Sequence, residues 1–297
     1  MRLILPAALL LSMSWWPAAA TPAPTPQPVH RVEKLGDHAY AILGPGGNVG
    51  LFVAKDAAVL IDGQFEKSAP GLLEAVRTVT KLPIKYLINT HHHPDHVGAN
   101  GFFARQGAII VAHANARKWM LLQDPKRTGL PELTLGEAGS AKLSRLDLHL
   151  EGLELHLVHF GPGHTDDDLA IGSPSDKVMH LGDLFFHGLL PFIDTSAGGS
   201  LEALLAQFEW LAGWVPEDLK IIPGHGPVCG KRDLLHHRDF LKAVLTHAKA
   251  NPAKSPQELT ASFDQLAWSD YQPMAGFVTW ESLLGAASGH GTGRVQK

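Results

Sequence analysis

The 297-residue sequence predicts an α/β fold in which two sheet-plus-helix halves pack sheet against sheet within one domain. Three observations lead there. Short apolar strands give way to helical spacing twice along the chain, which is the pattern of two separate sheet-and-helix units. Nothing after Pro28 reads as a linker, and no internal repeat divides the halves. Finally, 45% of residues are hydrophobic and 18% charged, enough apolar surface for a sizeable buried core.

The N-terminus is set apart from the fold. Met1-Arg2 supplies a positive start, Leu3 to Leu11 is almost wholly apolar, and Ala18-Ala19-Ala20 is the small-residue pattern a signal peptidase reads. Residues 1–20 are therefore expected to be a secretory signal cleaved after Ala20, which makes the protein periplasmic or secreted. The apolar run is short for a membrane span and no cysteine follows it, so no stable anchor is expected after cleavage. Residues 21–28 form a proline-rich spacer that joins neither a helix nor a central strand. The domain proper is 29–297.

From Val29 the elements follow in order. Val29 to Leu35, Tyr40 to Leu43, Val49 to Ala54 and Ala57 to Ile61 read as strands between glycine- and aspartate-rich turns. Leu72, Leu73, Val76 and Val79 give helical spacing over 68–79. Ile84 to Ile88 is a buried strand, a helix begins near Val97, Ala108 to Ala112 is a strand and 114–123 a helix. The second half opens with a hairpin, Leu146 to Leu150 and Leu153 to His159 across Glu151-Gly152. Short strands at 168–172 and 177–181 follow, then a helix at 200–214, a strand at Leu219 to Ile222 and a long helix over 231–250.

Charge and cysteine content narrow the function. The formal net charge is −4 and no basic block exceeds a pair, which disfavours nucleic acid as a ligand. A single cysteine, Cys229, rules out an intrachain disulfide and a thiolate-rich metal site. Histidine is over-represented at 18 residues, and that asks for a chemical reason.

The reason lies where strands end. His91-His92-His93-Pro94-Asp95-His96 follows the strand at 84–88. Residues two apart in an extended segment point the same way, so His91 and His93 can offer imidazoles to one ion. After the turn at Pro94, Asp95 and His96 address a neighbouring point. Three further candidates stand beside glycine after apolar strands: His164 in Gly163-His164-Thr165, Asp183 after Gly182, and His225 in Gly224-His225-Gly226. Glycine beside a ligand lets the backbone turn sharply and approach an ion.

The set Asp62, His91, His93, Asp95, His96, His164, Asp183 and His225 resembles the metallo-β-lactamase superfamily over nearly all of residues 30–230. The resemblance implies an αββα sandwich with a dinuclear metal centre at one edge of the sheets. It implies that His91, His93 and His164 hold one ion, that Asp95, His96 and His225 hold a second, and that Asp183 bridges both as in the thioesterase and lactonase branches. Asp62 corresponds to an early aspartate that supports the metal loop. The β-lactamases proper usually carry cysteine or serine near position 183, and their recognition lysine has no counterpart here, so the family name does not fix the activity.

Imidazole and carboxylate donors suit two zinc ions, with a di-iron or mixed centre as the alternative. Two adjacent ions make hydroxide available at neutral pH, and attack on an acyl carbon follows, with Asp95 orienting the nucleophile and relaying the proton. The expected function is a dizinc hydrolase of a small-molecule ester, lactone, thioester or lactam. The alternatives are a β-lactamase proper and a non-hydrolytic, metal- or iron-binding member of the same fold.

The remaining residues read more plainly. His92 points away from His91 and His93, to a supporting position or to solvent. His149, His156 and His159 belong to the hairpin faces, and His236, His237 and His247 to a solvated helix face. Phe185, Phe186 and Phe192 are expected to wall a substrate pocket, with His187 as a polar contact. Asp166 to Asp168 form a turn, Cys229 is a small packing residue, and Trp268, Tyr271, Phe277 and Trp280 are packing aromatics.

Overall fold

The computed structural model describes residues 30–274 and 276–290; the expected signal peptide and spacer lie outside the described residues. The first half comprises β1 (Arg31–Lys34), β2 (Ala39–Leu43), β3 (Val49–Val53), β4 (Ala58–Ile61), α1 (Ala69–Val79), β5 (Ile84–Ile88), α2 (Pro94–Val97), α3 (Asn100–Ala104), β6 (Ile109–His113), α4 (Ala114–Gln123) and β7 (Leu133–Leu135). The second half comprises β8 (Ser144–Leu150), β9 (Leu153–His159), β10 (Ala170–Ser173), β11 (Val178–Phe186), α5 (Leu201–Trp214), β12 (Lys220–His225), β13 (Cys229–Gly230), α6 (Lys231–Ala250), α7 (Pro256–Ser262) and α8 (Trp280–Ala287).

The strands form two sheets, ordered β1-β2-β3-β4-β5-β6-β7 and β13-β12-β11-β10-β9-β8. In the first sheet β1 to β4 are antiparallel and β4 to β7 parallel. In the second only β11 and β12 run parallel. Strand periodicity explains the layering. Val59 and Ile61 on β4 point to one side, where they meet Leu155 and Leu157 of β9 between the sheets. Ala58 and Leu60 point to the other side, against Leu72 and Val76 of α1. On the far side of the second sheet Leu181 and Ile221 pack against Phe208 of α5 and Phe240 of α6. Three apolar layers separate four structural ones. The arrangement is helix, sheet, sheet, helix, the sandwich expected from the sequence.

Several expectations are corrected. The second helix begins at Pro94 rather than near Val97, because proline fits a first helical position. Strand β11 continues past residue 181 to Phe186, through shifts in its pairing with β12 on either side of Gly182. Asp183 therefore sits inside a bulged strand and not after one. Gly182 takes φ +51°, a left-handed conformation in which glycine avoids the side-chain clash. His237, read as solvated, is fully buried on α6, where its Nδ1 lies 3.1 Å from the Tyr271 hydroxyl. Trp268 and Trp280 pack against the same core as Tyr271. Phe277 differs, being 53% exposed, with its ring 4.7 Å from that of Phe192.

Candidate metal centre

Four strands and one loop build the site. Strand β4 delivers Asp62, β5 runs into the histidine hexapeptide, β11 carries Asp183 and β12 ends at His225. His164 comes from the loop between β9 and β10. The backbone bends at 90–92, and His91 and His93 both join the cluster of His164 and Asp183, while His92 turns Nδ1 to Asp167 and lies with His93 near Asp194.

Asp183 is the centre of the cluster, and its two oxygens address different partners. Oδ2 lies 3.7 Å from His91 Nε2 and 3.6 Å from His164 Nε2. Oδ1 lies 3.2 Å from His96 Nε2 and 3.5 Å from His225 Nε2. Asp95 Oδ2 closes the second group at 3.3 Å from His225 Nε2 and 3.6 Å from His96 Nε2. His93 joins the first group through Nδ1, 2.9 Å from His164 Nε2. All seven predicted ligand residues thus converge as two sets, His91, His93 and His164 with Asp183, and Asp95, His96 and His225. Gly224 makes this approach possible, since a Cβ there would lie 1.9 Å from Asp183 Oδ1.

Four of the five imidazoles, those of His91, His93, His96 and His164, are aimed by a contact on the other nitrogen. His96 Nδ1 lies 2.8 Å from Asp62 Oδ2, and Asp62 also accepts from the Thr90 N–H and hydroxyl, both at 2.7 Å. His91 Nδ1 lies 3.1 Å from Thr90 Oγ1. His164 Nδ1 donates to the Phe192 carbonyl at 2.6 Å, and His93 Nε2 faces Asp194 Oδ2 at 3.1 Å. Such contacts fix the tautomer so that the inward nitrogen carries a lone pair. Within the cluster, His91 Nε2, His96 Nε2 and Asp183 Oδ1 are buried without a hydrogen-bond partner. Buried orphan acceptors are costly unless a cation compensates them. Ligands around tetrahedral zinc stand roughly 3.3 Å apart, close to the separations found here. The residues fit two ions.

The charges divide along the same line. Burial, with His96 beside it, pushes His91 well below the usual imidazole range, and burial takes His164 down to about 4. Burial opposes protonation of His96 and His225 as well, but Asp183 outweighs it, with help from Asp95. His96 is held well above its ordinary value and His225 is raised to about 9. Burial opposes ionisation of Asp183, yet His96, His225 and His91 hold it well below the carboxylate range. A raised value means that His96 and His225 keep their protons at pH 7 in the metal-free protein, and an ion must displace them. Metal loading at pH 7 is expected to release roughly one to two protons per chain. The His225 share should vanish above about pH 9. Calorimetry in buffers of different ionisation enthalpy measures it; no net proton release at pH 7 would contradict this charge assignment.

The structure separates the expected pocket residues. Phe186 stacks on His225, ring centroids 5.3 Å apart, and Phe192 lies 5.9 Å from His93, so both line the centre. Phe185 does not. The strand alternation turns it into the core beside Phe208 and His237. His187 also turns away, with Nδ1 donating to the Pro227 carbonyl at 2.9 Å. A cavity of about 950 Å³ lies elsewhere, beside α5 and the outer faces of β9 and β10, and none of the seven ligand residues lines it.

Sequence reasoning left some supports unassigned. His92 is buried against Trp119, with Nδ1 2.8 Å from Asp167, which settles its two readings in favour of support. Asp168 accepts from the Thr165 N–H and hydroxyl and ties the turn that carries His164. Asn48 donates to the carbonyls of Pro223 and Gly226, pinning the His225 loop to the β2–β3 turn. The Gly-Pro-Gly-Gly-Asn run was the available signal for Asn48, but it reads equally as an ordinary turn.

Comparison with known proteins agrees with this fold. Among solved structures, a metallo-beta-lactamase from Pontibacter korlensis superposes with a TM-score of 0.61 at 22% identity, covering 72% of this chain and 99% of that one. The DIM-1 metallo-beta-lactamase gives 0.58 at 17%, covering 72% and 97%. These likenesses show the fold. The alpha subunit of 2,4-dinitroanisole O-demethylase from Nocardioides is 23% identical over 69% of this chain and 58% of its own length. Hydroxyacylglutathione hydrolase GloC of Haemophilus influenzae is 27% identical over 58% and 81%. The type 2 metallo-beta-lactamase of Bacteroides fragilis is 25% identical over 53% and 59%. The chain therefore spans less than two thirds of the first and third of these relatives. A model of the metallo-beta-lactamase superfamily matches residues 43–225, more than half of the sequence and the whole stretch from Asp62 to His225, and the chain belongs to that superfamily.

Proposed function

We propose that this protein is a dizinc hydrolase that directs water at the acyl carbon of a small ester, lactone, thioester or lactam. The observation that carries the reading is the division of Asp183 between two histidine sets, one oxygen to each. A lone carboxylate between two dications offsets their repulsion and sets their spacing. When bound, the ions would acidify water and polarise a carbonyl oxygen.

The chain's own groups do the rest. Asp183, 5% exposed, is too enclosed to meet substrate, whereas the Asp95 side chain is 22% exposed and stands at the mouth. Asp95 is the group placed to orient the attacking water and pass its proton to the leaving atom. Burial opposes its ionisation, but His96 and His225 hold it below the usual carboxylate value, so it is an acceptor at neutral pH. Phe192 presents apolar surface beside the reacting position and Phe277 extends that surface to the rim, while the buried Phe186 backs the His225 ring.

Asp95→Asn keeps the shape and removes both the charge and the proton acceptor. Turnover of the best substrate is expected to fall at least about a hundredfold. Wild-type turnover at full metal content would remove Asp95 from the mechanism.

The overall reading is tested with chromogenic lactone, aryl-ester, thioester and lactam substrates, with and without chelator. Hydrolysis of at least one class, abolished by chelation and restored by zinc, is expected. No hydrolysis of any class by fully loaded protein would favour a non-hydrolytic metal-binding role. The B. fragilis relative is the reason lactams belong in the panel. The apolar start and Ala18-Ala19-Ala20 support export to the periplasm or medium. Mature protein from the native host should begin at Thr21 by mass spectrometry, and intact Met1 on most molecules would argue for retention in the cell.

A further inference from the structure

On the other side of the His225 loop, three more ligand-type side chains meet. His187 follows β11, Cys229 lies in β13 and Asp233 in the first turn of α6. One ligand atom from each lies within 4.8 Å of the other two, and none belongs to the sets around Asp183. The Pro227 carbonyl can only accept, so the proton of a neutral His187 ring sits on Nδ1 and Nε2 is left with a lone pair.

That lone pair faces Asp233 Oδ1 at 3.9 Å. The other carboxylate oxygen, Oδ2, is engaged by the Gly230 N–H at 3.0 Å. Cys229 Sγ makes a long contact of 3.8 Å with the Ile221 carbonyl. Each residue has an ordinary role alone: a helix cap, a packing thiol, a loop tie. Together they point two acceptors and a thiol at one place, which a cation resolves. Arg232 Nη2 approaches Asp233 Oδ1 at 3.8 Å, but its side chain is 95% exposed and free to leave.

We propose that His187, Cys229 and Asp233 form a separate mononuclear site for a thiophilic divalent ion, zinc by preference, with a fourth position open to solvent. Nitrogen, sulfur and carboxylate donors are common zinc ligands. Around tetrahedral zinc they stand roughly 3.3–3.7 Å apart, so the 3.9 Å separation of His187 and Asp233 needs only a small side-chain rotation. Burial and the Asp233 charge keep the free thiol protonated. The proton leaves to solvent as the sulfur–metal bond forms. Both His187 and Asp233 are about a quarter exposed, which gives an ion access.

The site also has a structural consequence. The His187 N–H donates to the His225 carbonyl at 2.9 Å. An ion here would clamp the end of β11 to the segment that carries His225.

Cobalt is the probe. Cys229 is the chain's one cysteine, so a thiolate-to-cobalt charge-transfer band can come from nowhere else. Reduced, metal-stripped full-length protein is titrated with Co²⁺, following stoichiometry and near-ultraviolet absorption. Wild type should bind one more equivalent than Cys229→Ser, and that equivalent should bring the band. Cys229→Ser should lose the band and the extra ion while keeping its hydrolytic turnover. His187→Gln should weaken the same step several-fold, which keeps the proposal testable if the cysteine variant folds poorly. Absence of the band in wild type at saturating cobalt would overturn the site. So would equal stoichiometry in wild type and a folded Cys229→Ser, or a band unaltered in both His187→Gln and Asp233→Asn.

Discussion

Asp183→Ala is expected to lower bound zinc from about two ions per chain to one or fewer, and to cut turnover by roughly a thousandfold or more. The size follows from the geometry. Oδ2 faces His91 and His164 and Oδ1 faces His96 and His225, so one truncation takes a donor from each set. It also leaves two dications with no negative charge between them. The second set should suffer more, because two of its three remaining donors, Asp95 and His225, are partly exposed. The fold should survive. Without the carboxylate the neighbouring imidazoles lose the charge that keeps them protonated, and neutral histidines are tolerated at a sheet edge. Elemental analysis and far-ultraviolet circular dichroism of the same sample decide it. Two zinc ions retained with full activity would end the bridging role.

How much of this was legible in the sequence depends on the element. The layered sandwich was, because β4 is a continuous apolar run buried on both faces, β9 alternates, and α1 repeats at helical spacing. The ligand residues were, because they are compressed into one hexapeptide and three glycine-flanked positions. The pocket wall was not. Which of Phe185 and Phe186 faces the centre depends on a register shift at Gly182, and a one-residue shift exchanges the two faces of a strand. His237 shows a different failure. It lies on the stripe of Leu234, Leu241, Val244 and Ala248, a spacing that marks it as buried. Its polarity argued for solvent, and its partner Tyr271 lies 34 residues away on a segment that periodicity could not place. Long-range hydrogen bonds such as Asn48 to the Pro223 and Gly226 carbonyls leave no local trace at all.

Asp62→Asn should reduce zinc affinity by at least about a hundredfold without unfolding the protein, although Asp62 belongs to neither ligand set. The argument is a matter of which atoms hold protons. Asp62 only accepts: Oδ1 takes the Thr90 N–H, and Oδ2 takes the Thr90 hydroxyl and His96 Nδ1–H. Because Thr90 spends its hydroxyl proton on Asp62, Thr90 Oγ1 receives from His91 Nδ1–H. In the neutral state that binds metal, both rings therefore carry their proton on Nδ1 and turn Nε2 inward as a lone pair, one to each set. Asparagine can keep the Thr90 N–H on its oxygen, but its NH₂ then occupies the place of Oδ2. It donates to His96 Nδ1 and Thr90 Oγ1, and the Thr90 hydroxyl turns to His91 Nδ1. Each ring must move its proton to Nε2, the atom meant for metal. The backbone at position 62 has φ +65°, a conformation asparagine accepts more readily than other residues, so the local fold persists. The metal-free variant is expected to lose about 1–3 kcal/mol from the altered buried contacts. Zinc titration beside thermal melting separates the two effects. A folded variant that binds two zinc ions as tightly as wild type would show that Asp62 does not set these tautomers.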